Sequence, residues 1–166
     1  MSAQYEYFEK YVKVGTLLDI GFGSARDMQY FKSKGFDVCG IDPTKAFCEN
    51  AQKLGLLVVQ STIEDFNSSK TFDSIWACAS LLHCKDLNIA FKKCFELLND
   101  NGIIYVSMKL GDGETDIDGR YFHYINQQEL ESLLKSTGFI ILDENITSDN
   151  LSNRSVQWIN VIARKP

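Results

Sequence analysis

This chain has no run near the roughly 18 consecutive apolar residues of a membrane span, so no membrane association is expected. Its opening, Met1-Ser2-Ala3-Gln4-Tyr5-Glu6-Tyr7, lacks the basic start and apolar block of a secretory signal, and a cytoplasmic location is expected. Cysteine occurs five times (Cys39, Cys48, Cys78, Cys84, Cys94), never as C-x-x-C. The odd number and the apolar settings suit reduced, buried thiols rather than a disulfide framework. Two histidines give no Cys/His spacing for zinc, and no metal is expected. Positive charge is not in excess: 17 Lys+Arg face 22 Asp+Glu, for a net charge of -5. That balance excludes a protein held mainly by phosphate backbones, so no nucleic-acid partner is expected. No repeat, low-complexity linker or composition break divides the chain.

What is present fits one core. The 166 residues are 45% hydrophobic, and a single domain over 1–166 is expected, with 1–15 as a short N-terminal cap. Strand candidates are 16–20, 36–41, 57–60, 72–78, 103–109, 139–145 and 156–164. The early ones are continuous apolar runs, as in a parallel sheet covered on both faces. Helical patterns lie between them. Leu87, Ala90, Phe91, Cys94, Leu97 and Leu98 form one apolar stripe. Asp100-Asn101-Gly102 turns the chain into the next strand. Asn126 with Glu129 marks a helix start and Gly138 its stop. Phe47, Ala51 and Leu54 make another short helix, ended by Gly55. The last two strands have no room for a crossover helix between them, so they run antiparallel. The fold class is α/β, with an open and mostly parallel sheet.

The segment Leu17-Leu18-Asp19-Ile20-Gly21-Phe22-Gly23-Ser24-Ala25-Arg26-Asp27 carries the most information. An apolar run ends in an acid and two close glycines, and a helix follows. Ligands in open α/β sheets sit beyond the carboxyl ends of the strands, where helix N–H groups are free. The nicotinamide fingerprint G-x-G-x-x-G needs a third glycine, and Arg26 stands there. Asp19 before the first glycine fits D-x-G-x-G, the pattern of a site for S-adenosylmethionine (SAM). Asp42, ending the next strand, is placed to accept hydrogen bonds from two ribose hydroxyls.

The chain resembles class I SAM-dependent methyltransferases, closest to small bacterial methyltransferases of the tellurite-resistance-like group. The resemblance runs over LLDIGFGSARD (17–27), GIDPT (40–44), FDSIWACASLLH (72–83), NDNGIIYVSMK (99–109), GRYFHYINQQELESLL (119–134) and WINVIARKP (158–166). It implies a Rossmann-like, doubly wound seven-stranded sheet of order 3-2-1-4-5-7-6 with strand 7 antiparallel. It implies SAM as methyl donor and S-adenosyl-L-homocysteine as product. Asp19, Gly21, Phe22 and Gly23 would line the methionine end and Asp42 the ribose. Pro43 would border the adenosine, Thr62 and Ile63 the adenine. Ala77 would offer its carbonyl to the SAM ammonium, and Ser80 would close the pocket. Phe22 and Ala25 stand where the family usually has cysteine and glycine, which predicts altered SAM affinity.

Methyl transfer from a sulfonium is an in-line displacement, so the protein chiefly aligns the reactants. The expected acceptor is a small molecule, its reacting atom open between O, N, S and a metalloid. Arg120 would hold an anionic acceptor, and His83 would orient it or act as a base. Asp112, Glu114, Asp116 and Asp118 lack the spacing and final glutamate of a calcium loop, and a solvated, mobile loop is expected there. The alternative to an enzyme is a non-catalytic SAM-binding or scaffold protein with a degenerate form of the same fold.

Overall fold

The structure is a computed structural model that describes residues 2–149 and 156–166. Ser155, adjoining the last strand, lies outside the described residues. In chain order the elements are α1 (Ser2–Glu9), β1 (Thr16–Ile20), α2 (Arg26–Ser33), β2 (Asp37–Asp42), α3 (Lys45–Lys53), β3 (Leu57–Gln60) and β4 (Phe72–Cys78). A single 3-10 turn, Leu81–His83, leads to α4 (Leu87–Leu97) and β5 (Leu98–Lys109). Then follow β6 (Glu114–Ile117), β7 (Arg120–His123), α5 (Gln127–Thr137), β8 (Ile140–Asp149) and β9 (Val156–Arg164).

Seven strands form one sheet in the order β3-β2-β1-β4-β5-β9-β8. Strands β1 to β5 pair in parallel, and β9 runs antiparallel to both β5 and β8. With the β6–β7 hairpin set aside, this is the expected order 3-2-1-4-5-7-6. One face of the sheet packs Leu87, Phe91, Leu130 and Leu134 of α4 and α5. The other packs α1, α2 and α3 through Phe8, Met28, Phe31 and Cys48. Helix ends follow their sequence signals. Asp86 accepts from the amides of Asn88 and Ile89 at the start of α4, and Asn126 from Glu129 at the start of α5. Gly138 closes α5 at φ 108°.

Three local readings change. The acidic segment expected as a mobile loop is the antiparallel hairpin β6–β7, with Ile117 opposite Arg120. Its two-residue turn is Asp118-Gly119, at φ 53° and 76°, the left-handed pair such hairpins favour. Asp100-Asn101-Gly102 does not precede the strand, which already begins at Leu98. It is absorbed as an irregularity within β5, where the register against β4 jumps from Phe72–Leu98 to Ser74–Ile103 and Asn101 takes φ 63°. The short cap contains a helix, α1, whose Tyr5 and Phe8 are buried.

Trp76 of β4 organises the α1 face. It is fully buried and stacked on Tyr105 at 4.1 Å, with Phe8 and Phe31 edge-on at 5.2 and 5.1 Å. Its indole N–H donates to Asp27 Oδ2 at 2.9 Å, and the Tyr5 hydroxyl donates to Asp27 Oδ1 at 2.6 Å. One carboxylate thus joins α1, α2 and β4. No helix of the described residues is long and apolar enough to cross a membrane.

Replacing Asp27 by alanine leaves two buried donors without a partner. The expected cost is about 2–4 kcal/mol in urea unfolding, with a smaller loss in Asp27→Asn, which keeps one acceptor oxygen. A loss below ~0.5 kcal/mol would show that the network does not hold α1.

Candidate functional site

The site begins where β1 and β2 end side by side, Ile20 paired with Ile41. The Gly21 amide donates to the Ile41 carbonyl at 2.8 Å, which turns the chain back over β2. Gly21 has φ 69°, and a Cβ there would meet Ser80 Cβ at 2.6 Å. Gly23 has φ 52°, with nothing within 4 Å of an added Cβ. Only the first glycine is therefore fixed by packing, while the second leaves open space.

Asp42 ties the loop to its neighbour. Its Oδ2 accepts the Gly23 N–H at 3.0 Å and its Oδ1 accepts the Thr44 N–H at 2.8 Å. A carboxylate has about four lone-pair sites, so each oxygen retains room for one more donor. Between the glycines, Phe22 turns inward and is 6% exposed. Its ring covers Gly40, where an added Cβ would meet Phe22 Cδ1 at 2.7 Å. The expectation that Phe22 faces the ligand is thus corrected: it belongs to the core under α2. Ala25, at φ 60°, holds a conformation in which glycine would be unstrained.

A cavity of about 520 Å³ opens on this loop, within the range of small-molecule sites. It brings together Gly21, Gly23, Asp42, Pro43, Thr62, Ile63, Ser80, His83 and Arg120 of the residues singled out from sequence. Phe47 and Leu81 join the apolar wall. The sequence had marked Phe47 only as helix stripe, yet it is 39% exposed and faces the cavity. Thr62 spends its hydroxyl on Asp65, donating to Oδ2 at 3.0 Å and accepting the Asp65 amide at 3.2 Å. Ala77 is fully buried inside β4 and lines no described cavity. The rim is formed two residues later, from Ala79 and Ser80.

Two polar atoms await partners. Ser80 Oγ is buried at the cavity wall without one. Asp19, one residue before Ile20, is 2% exposed with Oδ2 unpartnered. Burial, then the neighbouring Asp27 and Asp42 carboxylates, push its pKa well above the ordinary carboxylate value. Asp19 does not line the cavity; Ser80, Asp42 and the apolar slot do, and that set suits a nucleoside.

At the far end lie His83 and Arg120. His83 Nδ1 is 2.7 Å from the Tyr121 carbonyl oxygen, and its ring meets Phe122 edge-on at 4.8 Å. Burial lowers its pKa; the Tyr121 hydrogen bond opposes the shift, and Arg120 and Lys109 add to it. Arg120 lies 5.7 Å from the Phe122 ring centre and makes no ion pair among the described residues. Cys84, also on the wall, is held by burial at a pKa of about 12, with Glu64 beside it.

A second cavity of about 460 Å³ shares Ala79 with the first. Gln4, Arg26, Tyr105, Ser107, Trp158 and Asn160 are among its lining. No sequence signal pointed to it, because α1, α2, β5 and β9 meet there only in three dimensions.

A profile of the methyltransferase domain family matches residues 18–106, over half of the chain. The chain belongs to the methyltransferase domain family. A curated relative, the ubiquinone biosynthesis O-methyltransferase of Bradyrhizobium diazoefficiens, is 28% identical over 97 residues. That match spans 55% of this chain but 38% of the relative. Among solved structures, the Burkholderia thailandensis 1,6-didemethyltoxoflavin-N1-methyltransferase is similar with a TM-score of 0.80 at 20% identity, over 99% of this chain and 75% of that one. That structure holds 1,6-didemethyltoxoflavin and S-adenosylhomocysteine. The cyclase SpnF is equally similar in fold, with a TM-score of 0.81 at 17% identity over 99% of this chain and 81% of its own. The methyltransferase fold is therefore common to proteins of differing chemistry.

The two glycines should respond differently to alanine. Gly21→Ala should cost about 2 kcal/mol or more, from the left-handed backbone and the Ser80 collision. Gly23→Ala should cost about 1–2 kcal/mol, from the backbone alone. Equal losses in urea unfolding would contradict the packing described.

Asp19 sets a pH dependence. Its folded-state pKa is raised, so its proton stabilises the fold below the unfolded value of about 3.9, and that contribution is lost as pH rises. Asp19→Asn should therefore gain stability relative to wild type between about pH 4 and 8. A constant difference in urea midpoints across that range would exclude a raised pKa.

Proposed function

We propose that this chain binds SAM in the first cavity and transfers its methyl group to a small-molecule acceptor, with S-adenosylhomocysteine as product. The observation that carries this reading is Asp42. Its carboxylate anchors the Gly23 loop through one lone pair on each oxygen and keeps the others for ribose hydroxyls, in the cavity that Gly23 leaves open. Phe47, Ile63 and Leu81 offer flat apolar surface to an adenine. Ser80 offers an unused hydroxyl on the wall, and Asp19, buried behind it, keeps one oxygen without a partner. SAM, when bound, supplies an activated methyl on a sulfonium. The protein's part is to align the acceptor with that methyl and keep water out. His83 and Arg120 are the groups we assign to the acceptor.

Within the family, the WACASLLH and GRYF blocks support a place near the tellurite-resistance-like group. The net charge of -5 supports a small acceptor over nucleic acid. Free thiols at all five cysteines support a cytoplasmic setting. We treat 1–166 as one catalytic domain with 1–15 as its cap. The reading as a non-catalytic SAM-binding protein draws on the altered glycine loop and the short cap, and the inward turn of Phe22 weakens the first of these.

S-adenosylhomocysteine should raise the melting temperature and NAD should not. Asp42→Asn should weaken S-adenosylhomocysteine in calorimetric titration by about 1–3 kcal/mol, roughly ten- to a hundredfold. Wild-type affinity in the variant would remove Asp42 from the site, and stabilisation by NAD alone would refute the reading.

A further inference from the structure

We infer that the acceptor is a weakly acidic hydroxyl, a phenol or an enol, whose proton is taken by His83 Nε2 and whose oxygen is held by Arg120. The inference rests on the proposed SAM-dependent transfer and deepens it.

One hydrogen bond sets the state of the base. A carbonyl oxygen only accepts, so the 2.7 Å contact between His83 Nδ1 and the Tyr121 oxygen fixes a proton on Nδ1. In the neutral ring Nε2 then carries the lone pair. The Tyr121 carbonyl and the Phe122 edge fix the ring's orientation, at a residue that lines the cavity. Burial and the nearby cations keep the ring neutral near pH 7, as a base must be before it accepts a proton.

The charges around it favour an oxyanion. The 3-10 turn that carries His83 packs against β5 and β7. From β5 comes Lys109, with Nζ 4.2 Å from the Phe122 ring centre. From β7 come Arg120, Tyr121 and His123. The Tyr121 hydroxyl is directed at His123 Nδ1 at 3.5 Å, and His123 faces Glu114 at 3.9 Å. Glu114 is thus engaged with its cross-strand neighbour. Glu64 lines the same cavity and stands beside the Cys84 thiol. Lys109 and Arg120 form no ion pair among the described residues. A neutral base flanked by two cations, with Arg120 on the cavity wall beside it, matches a group that arrives neutral and becomes an anion. A sulfur or metalloid anion would need no base, and an ammonium would be repelled.

The step balances. The acceptor O–H proton passes to Nε2, and the oxygen lone pair forms the new O–C bond. The donor's C–S bond breaks with its pair left on sulfur as a neutral thioether. The imidazolium then returns its proton to water.

The tautomer is read directly by long-range 15N–1H NMR, since the chain has only two histidines. Wild type should show His83 protonated on Nδ1 and bare on Nε2. In the presence of S-adenosylhomocysteine, 4-nitrophenol should bind with its absorbance shifted towards the phenolate, and Arg120→Gln should abolish the shift. With SAM and a series of phenols of graded acidity, His83→Asn keeps a donor for the Tyr121 carbonyl but has no base. It should lose about a hundredfold in kcat at neutral pH, with little change in KM. Its remaining rate should climb with pH as the phenol ionises, whereas the wild-type limb lies below pH 6.5. An Nε2–H tautomer, an unchanged pH profile in His83→Asn, or methylation of thiophenol or aniline but no phenol would overturn the inference. Absence of S-adenosylhomocysteine binding in calorimetry would instead bring down the underlying functional reading.

Discussion

The site depends on one carboxylate shared between two strand ends. Asp42 lies at the carboxyl edge of β2, and its two oxygens hold Gly23 of one loop and Thr44 of the next. Both contacts are N–H donors to a charged acceptor, among the stronger hydrogen bonds in a protein. They hold open a crevice next to the point where the sheet order reverses between β1 and β4, the place such sheets reserve for ligands. Gly21 can turn there only because it lacks a Cβ, and Gly23 keeps the crevice clear for the same reason. The remaining site residues follow from this frame, since β4 runs beside β1 and delivers Ala79 and Ser80 to its rim.

What the sequence made visible was whatever repeats or caps. Continuous apolar runs located the parallel strands, and Asn126, Glu129 and Gly138 located α5 to the residue. The missing crossover between the last two strands foretold their antiparallel pairing. The β6–β7 hairpin escaped because its acids outweighed its turn signal, although Asp118-Gly119 is a left-handed pair written plainly in the chain. Phe22 was misplaced for a different reason. Spacing assigns a residue to a loop but not to a side of it, and the positive φ of both flanking glycines turns this ring into the core. The second cavity needs several distant elements to meet, so no local pattern encodes it.

The fold alone would not choose a chemistry, as a cyclase of the same architecture demonstrates. The choice is made by a few side chains of the site. His83, Lys109 and Arg120 come from three separate elements and approach the Phe122 ring. An apolar ring among cations meets their charge on its face without neutralising it.

Trp76 and Trp158 are the only tryptophans in the chain, and they sit in opposite kinds of place. Trp76 is sealed in the core, stacked on Tyr105 and bonded to Asp27. Trp158 lines the second cavity, with the Lys109 ammonium 5.9 Å from its ring. Intrinsic fluorescence therefore has two separable sources, one shielded emitter that changes only when the chain unfolds and one exposed to a visiting molecule. With Trp158 replaced by phenylalanine, Trp76 alone would report folding, and the difference from wild type would report occupancy, by light and without a foreign dye.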